Sequence, residues 1–173
     1  VTDDVNGDAV RFLQRLRNGC NQWSPNIFIG GLIGCKNDCY KPGDGLSVEK
    51  AEVFHSWQIN QLANAGADFL MAATLPALPE ATGIALAMAK TDIPYIISFV
   101  IGRDGKLLDG NSLEYAFDEI DAACTRPPLG YMINCAYPSF LNAYKQPKSV
   151  LDRLIGFQAN ASSLDQTELD GAG

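Results

Sequence analysis

The feature that most constrains this chain is a rhythm. Five apolar runs, at 26–34, 67–74, 94–101, 130–135 and 155–161, are separated by segments of helical spacing. Apolar runs that do not alternate with polar residues read as strands of a parallel sheet covered on both faces. The segments between them carry the other period. Val10, Leu13 and Leu16 recur at helical spacing over 9–17. Ser47 can cap a helix whose face is Val53, Phe54, Trp57 and Leu62, closed by Asn64-Ala-Gly66. Further helices are predicted over 79–90, 111–123 and 148–154. Each strand-plus-helix unit takes about thirty residues, the size of a βαβ module. No GxGxxG follows the first run, so a dinucleotide-binding fold loses its main support. The prediction is an α/β fold of the (β/α)8 TIM-barrel type. Such barrels take ~250 residues. The 173 residues, with about five βα units, therefore read as an incomplete barrel, a single domain over 1–173 that forms its interior portion.

Composition removes several functional classes. A net charge of -7 and a pI near 4.6 oppose nucleic-acid binding, which needs a positive face. No run approaches the ~18 apolar residues of a membrane span, and no charged-then-apolar leader opens the chain. The five cysteines are odd in number and scattered, unlike a secreted disulfide framework. A cytoplasmic protein acting on a small molecule is the expectation.

One strand end stands out. Tyr131-Met-Ile-Asn-Cys135-Ala-Tyr-Pro138 is an apolar strand that stops at Asn-Cys before a Pro-containing turn. In parallel α/β proteins the carboxyl ends of strands open onto the ligand crevice. A thiol there is available as a soft metal ligand or nucleophile, whereas in mid-strand it is core filler. Asn134 and Asn160, also at strand tips, can hydrogen-bond a substrate or serve turn chemistry. His55, the only histidine, reads as a helix-surface or helix-sheet contact and not a base. Cys35 and Cys39 lie in a polar loop with no further ligand nearby and are not read as a metal pair. Asp104 and Asp109 sit beside glycines as turn formers. The clusters Asp3-Asp4 and 165–170 read as solvated ends.

Taken together, these pieces resemble the zinc-dependent homocysteine S-methyltransferases. The likeness is carried by Gly30-Gly-Leu-Ile-Gly34 with the Pro42-Gly-Asp-Gly loop, and by His55-x-x-Gln-Ile-x-x-Leu-x-x-Ala-Gly-Ala-Asp68. It continues through Thr74-Leu-Pro-x-x-x-Glu-Ala81, Ser98-Phe99, Arg103-Asp-Gly-Lys-Leu-Leu-Asp-Gly110, Ile133-Asn-Cys135-Ala-x-Pro138 and Gln158-Ala-Asn-Ala161. It runs from about 27 to 163. The resemblance implies a barrel in which zinc deprotonates the acceptor thiol and holds it against a methyl donor, as in methionine biosynthesis. It implies Cys135 as one of three zinc-binding thiolates, and Thr74, Ser98, Asn134 and Asn160 as substrate-side residues.

Two departures matter. The family's other two zinc ligands are an adjacent Cys-Cys pair near the end of the eighth strand, and this sequence has none. The 173 residues alone are therefore expected to retain zinc poorly and to be inactive. The family's glutamate before Thr74, which holds the amino group of homocysteine, is Ala73 here. Two readings follow: a methyltransferase acting on a zinc-activated thiol, or a non-catalytic barrel relative that binds a small metabolite or partner without zinc. Sheet edges left unpaired would invite self-association, so a homo-oligomer is also expected.

Overall fold

A computed structural model describes residues 4–170. Helix α1 (Val5–Asn18) leads into β1 (Gly30–Ile33), then α2 (Val48–Asn64), β2 (Phe69–Leu75), α3 (Leu78–Ala89) and β3 (Tyr95–Phe99). After these come α4 (Leu113–Ala123), β4 (Gly130–Ala136), α5 (Lys148–Arg153), β5 (Leu154–Ala159) and α6 (Gln166–Asp170). The five strands form one sheet in the order β1-β2-β3-β4-β5, every neighbouring pair parallel. The helices pack against one another in the same succession. Sequential order without reversal is barrel topology; a doubly wound sheet reverses its order partway. The fold is thus a TIM-barrel type with five of the eight strands in place.

Several boundaries differ from the sequence reading. The first strand is only Gly30–Ile33, because Asn21–Asn26 winds into a 3-10 helix containing Pro25. Helix α1 begins at Val5, earlier than residue 9, because the Asp4 carboxylate caps it by accepting the Gly7 N–H at 3.0 Å. Asp4 is therefore a capping residue and not merely a solvated end; Asp3 lies outside the described residues. The segment 165–170 likewise is partly structural, since Gln166 is buried. Asp109 does more than form a turn. Its Oδ2 accepts the Leu78 N–H at 2.7 Å and satisfies the N-terminus of α3 from a neighbouring loop.

The pleat sorts the side chains. Leu70 and Ala72, Tyr95 and Ile97, and Tyr131 and Ile133 are fully buried. Cross-strand register aligns them on one face, toward the helices. The opposite face carries Leu32, Met71, Ile96, Ser98, Met132 and Asn134. Here glycines make room for large neighbours. A Cβ at Gly30 would lie 2.6 Å from the Phe69 ring, and one at Gly156 2.6 Å from the Met132 methyl. On the helical side Phe117 stacks on Tyr131 at 3.8 Å between centroids. The Tyr131 hydroxyl donates to Asp121 Oδ1 at 2.8 Å, and Arg153 pairs with the same carboxylate. This aromatic and ionic staple holds β4, the strand that carries Cys135, against α4.

Candidate active site

At the carboxyl ends of β2, β3 and β4, one side chain organises the rest. Asn134 is buried to 3% exposure. Its Oδ1 accepts the Thr74 N–H at 3.0 Å and the Ser98 hydroxyl at 2.6 Å. Its Nδ2 donates to Thr74 Oγ1 at 2.8 Å and to Cys135 Sγ at 3.1 Å. Two acceptor sites and two donors are all that a carboxamide has, and all four are used.

Strict alternation would turn Thr74 and Cys135 toward the helices, since each follows an inward-facing residue. Instead both adopt the left-handed region, at φ 61° and 53°. A register shift accompanies each, between Ala72 and Leu75 in β2 and between Asn134 and Ala136 in β4. Such irregularities re-aim a side chain at a strand end. Here they swing Oγ1 and Sγ back to Asn134. A β-branched residue at positive φ is a genuine outlier, and such strain gathers where surrounding bonds over-determine it. Gln166 supplies one of those bonds, donating to the Cys135 carbonyl at 2.8 Å and to the Ile101 carbonyl at 3.0 Å.

The remaining site candidates lie less centrally. Ser98 is fully buried beneath Asn134. Asn160 enters through its backbone, donating its N–H to the Ala136 carbonyl at 2.9 Å. Thr74 and Ala73 line a cleft of about 300 Å³ with Ile33, Cys35, Asn37 and Cys39. Burial and then the charge of Glu80 push the Cys35 thiol up to about 11, so it stays protonated near neutrality. Among the described residues no group of three or more His, Cys, Asp or Glu side chains could hold a metal ion. A soft tetrahedral zinc site takes several sulfur ligands, and at this mouth Cys135 offers a single thiol beside Asn134.

Sequence reasoning missed three polar residues. Gln158 sits opposite Asn134 in the β4–β5 register. Gln166 ties down the backbone of Cys135. Glu80 is a carboxylate at 1% exposure that meets His55 Nε2 at 2.9 Å. His55 lies neither on the helix surface nor against the sheet: it is buried at 3% exposure in a helix-helix contact, on α2 against Glu80 of α3. Glu80 and Gln158 both fall inside stretches that carry the family likeness, which was the available signal; Gln166 had none.

Five parallel strands in sequential order place the chain in the TIM-barrel fold class. The family model of homocysteine S-methyltransferases matches residues 2–172, and the chain belongs to that family. It is similar in fold to the homocysteine methyltransferase MmuM from Escherichia coli. The apo form aligns with a TM-score of 0.69 at 21% identity, covering 97% of this chain and 72% of that one. The metallated form aligns with a TM-score of 0.71 at 21% identity, covering 97% and 70%. No curated protein matches the chain.

Proposed function

We propose that this chain carries the thiol side of a methyl-transfer site whose acceptor is homocysteine or a similar thiol. In that reaction the acceptor sulfur attacks the methyl carbon of the donor and an S–C bond forms. The bond from methyl to the donor atom breaks with its electron pair staying on the donor, and the thiol proton is lost. The observation that carries the reading is the placement of Cys135, turned by a left-handed residue onto Asn134 at the mouth of a barrel of this family.

Zinc belongs to the same reading: bound, it would lower the pKa of the acceptor thiol. Cys135 is the residue of this chain that would hold it. The described residues bring together no group of three or more ligand side chains, so the set is incomplete and no step is derived through the metal. What the chain's own residues do is positional. Asn134 holds Thr74 and Cys135 at a fixed separation, and Thr74 with Ala73 shapes the cleft beside them. Thr74 and Asn160 are the proposed substrate-side residues nearest open space. Ser98 and Asn134 serve from beneath.

The test is direct. Wild-type protein and Cys135→Ser are incubated with homocysteine and a panel of methyl donors, and thioether formation is followed by mass spectrometry. In a full-length barrel that carries the family's Cys-Cys pair, the reading expects product from the wild-type sequence and at least a hundredfold less with Cys135→Ser; the 173 residues alone are expected to give none. Ala73 favours a second reading, a relative that binds a metabolite without transfer, because among the described residues no acidic side chain lines the cleft around it. In that full-length barrel stoichiometric zinc by elemental analysis supports the enzyme; none, together with no product, supports the binder.

A further inference from the structure

Glu80 stands in the first turn of α3, on the helical layer, yet its contacts reach toward the mouth. Oε1 accepts the Lys36 N–H at 2.8 Å and faces His55 Nε2 at 2.9 Å. Oε2 accepts the Leu46 N–H at 3.2 Å. A carboxylate buried to 1% exposure is costly unless such bonds hold it. Burial opposes its ionisation, but the bonds from His55, Lys36 and Leu46 outweigh it and leave the group below its usual range.

The two backbone donors belong to one loop, the connection from β1 to α2, and they bracket it at both ends. Between them the chain turns through Pro42–Asp44, and Asn37 Nδ2 donates to the Asp44 carbonyl at 2.6 Å to close the loop internally. The bracketed stretch holds Asn37 and Cys39. With Ala73 and Thr74 they line the cleft of about 300 Å³. Thr74 is shared with the Asn134–Cys135 constellation. On its other side the same loop offers Tyr40 and Pro42 to a second cleft of about 480 Å³, where they meet Arg103 and Gln166. One buried carboxylate thus sets the height of a wall common to both clefts.

We propose that Glu80 is a positioning residue that latches both ends of the β1–α2 loop to α3, with His55 as its backstop, and thereby fixes the wall against which the acceptor thiol's substituent rests. For the identity of that ligand the proposal rests on the methyl-transfer reading; for the latch itself it rests on the contacts above. A purely structural staple between α2 and α3 would predict something different, since its loss would loosen the sheet and helices together.

The experiment uses Glu80→Gln, which keeps the shape but puts an amide donor where a carboxylate oxygen accepts. Amide hydrogen exchange is read across the whole protein, and KM and kcat for the thiol acceptor are measured in a full-length barrel that carries the family's Cys-Cys pair. The latch expects the amides of 36–46, Lys36 and Leu46 foremost, to exchange at least tenfold faster while those of β2, β3 and β4 keep their protection. It expects KM for the thiol to rise at least fivefold with kcat within twofold. Unchanged protection at Lys36 and Leu46, loss spread evenly over the sheet, or a fall in kcat at constant KM would each overturn it. If Glu80→Gln does not fold, Glu80→Asp, one methylene shorter, is read for the same loop-confined exchange. A full-length barrel of wild-type sequence that transfers no methyl group would sink the methyl-transfer reading, while the exchange pattern still decides the latch.

Discussion

Thr74 and Cys135 end β2 and β4, with β3 between them, and both hydrogen-bond the Nδ2 of Asn134, at 2.8 and 3.1 Å. Each occupies the left-handed region against its own steric preference. The pair is therefore a single mechanical unit: neither tip can relax without releasing the other. Strain of about 1–3 kcal/mol per residue is typical of such positions, and it is held here by a carboxamide whose every donor and acceptor is used.

Replacing Asn134 by Ala removes four hydrogen bonds and leaves the buried Ser98 hydroxyl without its acceptor. Urea unfolding is expected to show a loss of about 2–4 kcal/mol, the range for a broken buried network. Asn134→Asp is the sharper test. It loses the donated bonds to Thr74 Oγ1 and Cys135 Sγ but keeps an acceptor for the Ser98 hydroxyl and the Thr74 N–H. Urea unfolding should show a smaller loss than for Asn134→Ala.

Cys135→Gly separates stability from function. Glycine relieves the left-handed strain of about 1–2 kcal/mol, while its greater unfolded-state freedom costs about 0.5–1 kcal/mol. These nearly cancel, and the Asn134 Nδ2 hydrogen left without Sγ costs about 1 kcal/mol, so the unfolding free energy should fall by about that much. In a full-length barrel with the family's Cys-Cys pair, methyl transfer should fall at least a hundredfold.

Glu80 makes the loop sensitive to acid. Its ionisation is favoured in the folded protein, so its pKa there lies below the unfolded value. The stability it contributes is complete above the ordinary glutamate range and is lost as pH falls through the lower folded value. Protection of the Lys36 and Leu46 amides should decline through that acidic window in the wild type. In Glu80→Gln it should already be low and should not follow the same curve.

Gly83 illustrates a contact that helix propensity would misjudge. A Cβ there would lie 2.3 Å from the Val48 carbonyl, 2.6 Å from Ala51 Cβ and 2.9 Å from the Glu52 nitrogen, where α3 meets α2. Gly83→Ala gains about 1 kcal/mol in helix propensity. Forcing two helices apart costs about 1–3 kcal/mol or more. A net loss of about 2 kcal/mol by thermal or urea unfolding is expected; a gain would show that the helices separate freely.

The fold was legible because parallel strands buried on both faces leave continuous apolar runs, as at 67–74 and 94–101. Boundaries slipped where tertiary contacts decide them, as when Asp109 caps α3 from another loop. Thr74 and Cys135 could be placed at strand tips from sequence. Their convergence could not, because it depends on register shifts that turn each side chain off the face its position assigns. Glu80 and Gln166 escaped for a related reason: their partners are backbone groups 44 and 31 residues away, which leave no mark on composition.

Gln166 has a consequence for the order of events during synthesis. It follows Cys135 by 31 residues, and its two acceptors, on Ile101 and Cys135, belong to segments made well before it. Strands β1 to β4 can assemble as they emerge, N-terminal parts first. The carbonyl behind the thiol then waits, unbonded by Gln166, until α6 arrives. The posture of Cys135 is thus completed only after β5 and α6 have followed it, which keeps a strained thiol from setting until the strands on either side of it exist.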